Sequence, residues 1–134
     1  GGKKFTIIAC HMKSKGGNGS GIDSDKNDGS GNWNNQRLLG VKAVVDWIEN
    51  YNPTGTEAPA IFMGDFNAYA KEDPIQYMTR DLGYNSVEDL NQIDPPKYSY
   101  AYDGQYGTLD YMILDSSFSI EQNVKNEGTW HVNS

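Results

Sequence analysis

The chain has 134 residues, 37% of them hydrophobic, and carries 18 acidic against 11 basic side chains for a formal net charge of −7. That length makes one compact domain the default. The charge excludes sequence-independent binding of nucleic acid through a basic surface, because phosphate neutralisation takes Lys and Arg; an enzyme that meets phosphate through a bound cation stays open.

A single cysteine, Cys10, leaves no disulfide to close within the chain. No run is long and apolar enough to span a membrane, and no signal peptide is legible. The sequence opens on Gly1-Gly2-Lys3-Lys4 almost directly before a strand and stops at Ser134 without a closing element. It is expected to be a piece of something longer.

In chain order, residues 5–10 (FTIIAC) are a β-branched, apolar run that predicts a buried strand. It ends in His11-Met12-Lys13-Ser14-Lys15-Gly16, which puts a histidine at a strand end beside two lysines and a serine. That cluster suits an anion or a solvated loop. Residues 17–32 are rich in Gly, Asn, Ser and Asp without periodicity, as a long, flexible surface loop is. Within it, Asp23-Ser24-Asp25-Lys26-Asn27-Asp28-Gly29 partly matches a calcium loop. Its Gly comes one place late and Asn34 stands where a bidentate Glu is wanted, so the solvated loop is favoured.

From residue 35 to 51 the period changes: Val41, Val44, Val45 and Ile48 predict a helix buried on one face, with Asn34 as its N-cap and Asn52-Pro53 as its end. Arg37 in the first turn opposes the helix dipole, which hints at a carboxylate partner; an ordinary surface arginine is the expectation. Residues 60–63 read as a second buried strand, broken at Gly64 and followed by Asp65-Phe66-Asn67. Residues two apart in extended chain share a face. Asp65 and Asn67 would therefore point together beyond the sheet edge, where open α/β sheets often place ligands, with Phe66 turned to the core. The alternative is a turn made of turn residues, and on this heptapeptide the two readings stand level.

Asp73 as N-cap with Pro74 at the first helical position predicts a helix, with Ile75, Met78 and Leu82 as its apolar stripe and Gly83 as its stop. Residues 85–97 are irregular, with Pro95-Pro96. Residues 98–102 (YSYAY) read as a half-buried strand, 103–107 as a turn, and 108–114 (TLDYMIL) as a strand carrying Asp110 in an apolar run. That carboxylate is costly unless paired or exposed at the strand end. Ser119-Ile120 suggest a further short strand.

A strand ending in His, one ending in Gly-Asp-x-Asn, and one holding Leu-Asp occur here in that order, and the chain so resembles the endonuclease/exonuclease/phosphatase superfamily. Gly64-Asp65-Phe66-Asn67-Ala68-Tyr69, Glu72-Asp73-Pro74-Ile75, Tyr98-Ser99-Tyr100, Gly107-Thr108-Leu109-Asp110 and Trp130-His131 are similar to its bacterial extracellular nucleases. The resemblance implies an α/β fold, part of a four-layer deoxyribonuclease-like sandwich with a mixed sheet and flanking helices. It implies hydrolysis of phosphodiesters in DNA or RNA with Mg²⁺ or Mn²⁺, and a secreted protein.

In that reading Asp65 orients or deprotonates the attacking water, and Asn67 binds phosphate and helps Asp65 hold the metal. His11 donates to a phosphate oxygen, and Asp110 orients a second histidine. His131 is not taken for that histidine. The family's metal-binding Glu lies upstream of these residues and its closing Ser-Asp-His downstream, so residues 1–134 correspond to a partial domain, the C-terminal half less its last strand, whose partner is the N-terminal half. The alternatives are a phosphatase of the same fold acting on phospholipids or inositol phosphates, and a non-catalytic Ca²⁺-binding module built on residues 23–29.

Overall fold

The computed structural model describes residues 2–87, 98–102 and 104–118. Within the segment 85–97, expected to be irregular, Asn85–Ser86 form a short strand instead; residues 88–97, Ser119-Ile120 and Trp130-His131 lie outside the described residues. The elements are β1 (Thr6–His11), a 3-10 turn (Gly21–Asp23), α1 (Asn34–Tyr51), β2 (Ala60–Asp65), α2 (Asp73–Gln76) continued by a π-helical turn (Tyr77–Asp81), β3 (Asn85–Ser86), β4 (Tyr100–Tyr102), β5 (Gln105–Gly107) and β6 (Asp110–Leu114).

The main sheet is mixed, in the order β1-β2-β6-β3, with β1 and β2 parallel and the other pairs antiparallel. Two parallel neighbours need a long crossover, which α1 supplies, and both strands then end on the same side. β4 and β5 form a separate hairpin. Residues 105–107, expected in a turn, pair as β5.

Cross-strand partners share a face, and the register sorts the side chains cleanly. One face carries Cys10, Phe62, Tyr111 and Ile113, all buried against Val41, Val45 and Ile48 of α1 and Ile75 and Met78 of the next helical segment. Each such aliphatic or aromatic side chain contributes roughly 1.5–3 kcal/mol on burial. Burial also pushes the Cys10 thiol up to about 11, so it stays protonated and inert at neutral pH.

The other face shows three rows: Ile7, Ile61 and Leu114; Ala9, Met63 and Met112; and His11, Asp65 and Asp110. Ile7 is 56% exposed and Met112 36%. The polar row thus closes an apolar face that the helices do not cover.

Two caps differ from the sequence reading. Asn34 is the first residue of α1 rather than its cap; the cap position is Trp33, at φ 67° and without a side-chain cap bond. Asp23 takes over from the loop, its Oδ1 accepting the Gln36 N–H at 2.9 Å. Likewise Glu72, in extended conformation, precedes α2, while Asp73 lies inside it and accepts from Asn34 Nδ2 at 2.6 Å. At α1 a carboxylate from the preceding loop takes the place of the local cap; at α2 the cap residue, Glu72, makes no side-chain cap bond. Gly83 does follow the helix at φ 68°, where a glycine costs least.

Candidate active site

β2 ends at Asp65, and the backbone then turns. Asn67 has φ 49°, and its N–H donates to Asp65 Oδ1 at 2.8 Å. Asp65 and Asn67 are therefore brought together by an Asx turn, not by the two-residue period of extended chain. Phe66, between them, is fully buried and meets Tyr111 edge to face.

The turn is clasped to the end of β1. The Met12 N–H donates to the Asp65 carbonyl at 2.9 Å, and Asn67 Nδ2 donates to the Met12 carbonyl at 3.1 Å. That spends the amide nitrogen of Asn67 on structure and leaves its oxygen for another partner. The clasp needs Gly64: at φ 128°, a Cβ there would fall 2.2 Å from the Cys10 carbonyl oxygen.

Asp110 opens β6 and is exposed, so the burial cost feared for a carboxylate in an apolar run does not arise. Its backbone is fixed by Ser99, whose hydroxyl accepts from the N–H groups of Leu109 and Asp110 at 3.0 and 3.1 Å. Strand register places Asp110 opposite Asp65, and Asp65 beside His11.

Asp65, Asn67 and Asp110 line one cavity of about 450 Å³, together with Ser14, Lys15, Gly16, Tyr69, Tyr100 and Leu109. His11 is exposed at the neighbouring position of the row but is not part of the cavity wall. Of the four expected site residues, Asp65, Asn67 and Asp110 line the cavity and His11 does not, although Ser14, Lys15 and Gly16, which follow its strand, do.

The sequence left Arg37 on the surface. It is fully buried. Its guanidinium donates to the carbonyls of Asn32 and Ser30, both at 2.8 Å, and to Glu72 Oε2 at 3.3 Å. Burial drags it below the ordinary arginine value, with Glu72 the main opposing influence. Glu72 Oε1 also accepts from Lys15, whose ammonium donates to the Ser30 carbonyl at 2.9 Å and lies 4.9 Å from the centre of the Tyr69 ring. Burial lowers the Lys15 pKa and Glu72 works against that shift. Burial, then Glu72, raises the Tyr69 hydroxyl. The misplaced Arg37 in a first helical turn was the single local sign of this network; nothing in the sequence ties residues 15, 37 and 72 together.

The carboxylates of residues 23–29 are used locally. Asp25 Oδ1 accepts from Asn27 N–H at 2.8 Å, and Asp28 Oδ1 from the Ser30 N–H at 3.0 Å and its hydroxyl at 2.5 Å. Among the described residues no group of three His, Cys, Asp or Glu side chains is arranged to hold a metal ion.

No family model matches the chain, and no curated protein does. Among solved structures it is similar to the human Nocturnin catalytic domain with bound sulfate anion, at 24% identity and a TM-score of 0.58, over 86% of this chain and 37% of that one. The chain thus spans well under half of that domain. The likeness shows the fold: a mixed sheet with helices, of the deoxyribonuclease-like α/β sandwich type.

Proposed function

We propose that the chain carries part of the active site of a divalent-metal-dependent phosphodiesterase that cleaves nucleic acid. The observation that carries this reading is the convergence of Asp65, Asn67 and Asp110 on one cavity from separate segments of the chain. The sulfate named for the Nocturnin domain is a tetrahedral oxyanion, as phosphate is, and adds support.

Two carboxylates and a carboxamide are hard oxygen donors. They fit Mg²⁺ or Mn²⁺, which take one or two carboxylates and keep water and phosphate oxygens as their other ligands. Asp65 and Asn67 are the residues that would hold the ion, which when bound would neutralise charge on the phosphoryl oxygens. Asp65 has one carboxylate oxygen taken by the Asn67 N–H; its other oxygen would orient or deprotonate an attacking water. The Asn67 carboxamide would contact the phosphate. His11, at the rim, would donate to a non-bridging oxygen as charge builds there, and Asp110 would accept from a histidine imidazole and fix its orientation.

The same reading accounts for the open face of the sheet. Ile7 and Met63 are side chains that a second sheet would cover in a four-layer sandwich. DNA is the favoured substrate, with RNA the alternative. Secretion rests on the resemblance to extracellular nucleases alone. In the full-length protein, cleavage of a DNA duplex should need Mg²⁺ or Mn²⁺ and stop in excess chelator. Full turnover in chelator would sink the proposal.

A further inference from the structure

Four of the chain's nine tyrosines fall between residues 98 and 106. They lie on or beside the β4–β5 hairpin, which pairs with no other strand among the described residues. A tyrosine in a sheet normally packs its ring into a core, as Tyr111 does. On the hairpin Tyr98, Tyr100 and Tyr106 are all exposed instead, Tyr106 to 69%. The Tyr98 and Tyr106 rings lie 4.8 Å apart, their planes tilted by 57°. Register sets Tyr100 opposite Gly107. The Tyr69 ring fills the space that a Cβ on Gly107 would need, with its Cε1 2.4 Å from that position. Tyr69 and Tyr100 both line the cavity that holds Asp65 and Asp110, and Ser99, between Tyr98 and Tyr100, holds the Asp110 N–H. The cavity wall thus continues into the exposed aromatic hairpin.

Residues 98–110 contain two aspartates and no lysine or arginine. A polyanion beside the hairpin therefore meets no side-chain cation on it; what the hairpin offers is ring faces. Stacking on a base needs no charge and tolerates any sequence, because every base has a π-face. In an intact duplex those faces are covered by neighbouring base pairs. We infer that this hairpin is a stacking platform for unpaired bases, with Tyr106 as its most exposed ring, and that the protein binds single strands or frayed ends in preference to intact duplex. The nature of the ligand rests on the phosphodiesterase reading.

The test is binding by the full-length protein in chelator, so that nothing is cut, followed by fluorescence anisotropy of labelled ligands. Three are compared: a short oligothymidylate, an abasic strand of the same length and charge, and a duplex of the same length. The oligothymidylate should bind at least about tenfold more tightly than either of the others, the effect of one stacked base. Tyr106→Ala should weaken oligothymidylate binding about tenfold and leave the abasic strand unchanged, whereas Tyr106→Phe should stay within about twofold because the ring remains. Tyr51→Ala, at an equally exposed tyrosine (69%) that ends α1, should change neither.

Equal affinity for the thymidine and abasic strands, binding of neither, or preference for the duplex overturns the inference. So does an equal loss on both strands in Tyr106→Ala, which marks a structural role. If that variant does not fold, the comparison of the two strands on the unmodified protein decides. The two proposals fail separately. Base-dependent binding with no metal-dependent cleavage rejects the nuclease reading alone; metal-dependent cleavage with no dependence of binding on bases rejects this one alone.

Discussion

Asp23, Asp25 and Asp28 in the long loop and Asp65 and Asp110 at the strand ends are the same chemical group in two settings. Each loop carboxylate turns back on nearby backbone or caps the start of α1. Asp65 also begins as a turn former, accepting from Asn67. What separates it is the sheet: register sets Asp110 opposite it, the β1 end beside it, and a cavity in front of both. The loop carboxylates stay with their local partners, whereas long-range strand pairing brings Asp65 and Asp110 to one cavity.

The sharpest way to break this contrast is to remove one carboxylate from each region. Asp65→Ala in the full-length protein should lower metal-dependent cleavage by at least about a hundredfold, and Asp25→Ala should leave the rate unchanged. Steady-state assays on both variants check it; equal effects would erase the distinction.

The buried pair that joins the two regions comes next. Arg37→Met leaves Glu72 with Lys15 as its remaining cation and strips the Asn32 carbonyl of its guanidinium donor. Stability should fall by about 3 kcal/mol, toward the low end for a broken buried pair. Urea unfolding measures this, and a loss no larger than that of an exposed pair would mean the network does not organise the loop.

A smaller effect is expected at the loop's own contribution to the helix. Asp23→Ala removes the acceptor for the Gln36 N–H and should cost about 1 kcal/mol, as loss of an N-cap does, whereas Asn34→Ala should not show a capping loss. The same unfolding measurement separates the two. Smallest of all, Ca²⁺ should leave the amide signals of residues 23–29 in place, since their carboxylates already accept local N–H bonds. In hydrogen exchange, Gly19 and Asp25, whose N–H groups donate to Asn32 Oδ1, should exchange more slowly than their loop neighbours. Calcium-dependent ordering confined to this loop would favour a binding module instead.

Much of the fold was legible in the sequence because its signals are local. Apolar runs marked β1 and β2, the period of Val41, Val45 and Ile48 marked α1, and Gly83 marked the end of the helical segment after Pro74. The resemblance picked out His11, Asp65, Asn67 and Asp110; strand ends hold His11, Asp65 and Asp110, and the turn after β2 holds Asn67. The α1 cap went astray because a carboxylate in the preceding loop can satisfy a helix N-terminus as well as a neighbouring Asn can. Arg37 went astray because its burial depends on Glu72, far along the chain, and no periodicity records that partner.

Sequence alone therefore determined β1, β2, β6, α1 and the helical segment after Pro74, since propensity and pattern act over a few residues; β3 and β5, expected as irregular chain and as a turn, were set by strand pairing. Tertiary structure alone decided that Asp65, Asn67 and Asp110 share a cavity whose wall does not include His11, and that the buried Arg37 and the loop residue Lys15 meet on one carboxylate, Glu72. Those outcomes follow from strand register and from compensation of charge across 57 residues of chain, and neither has a local signature.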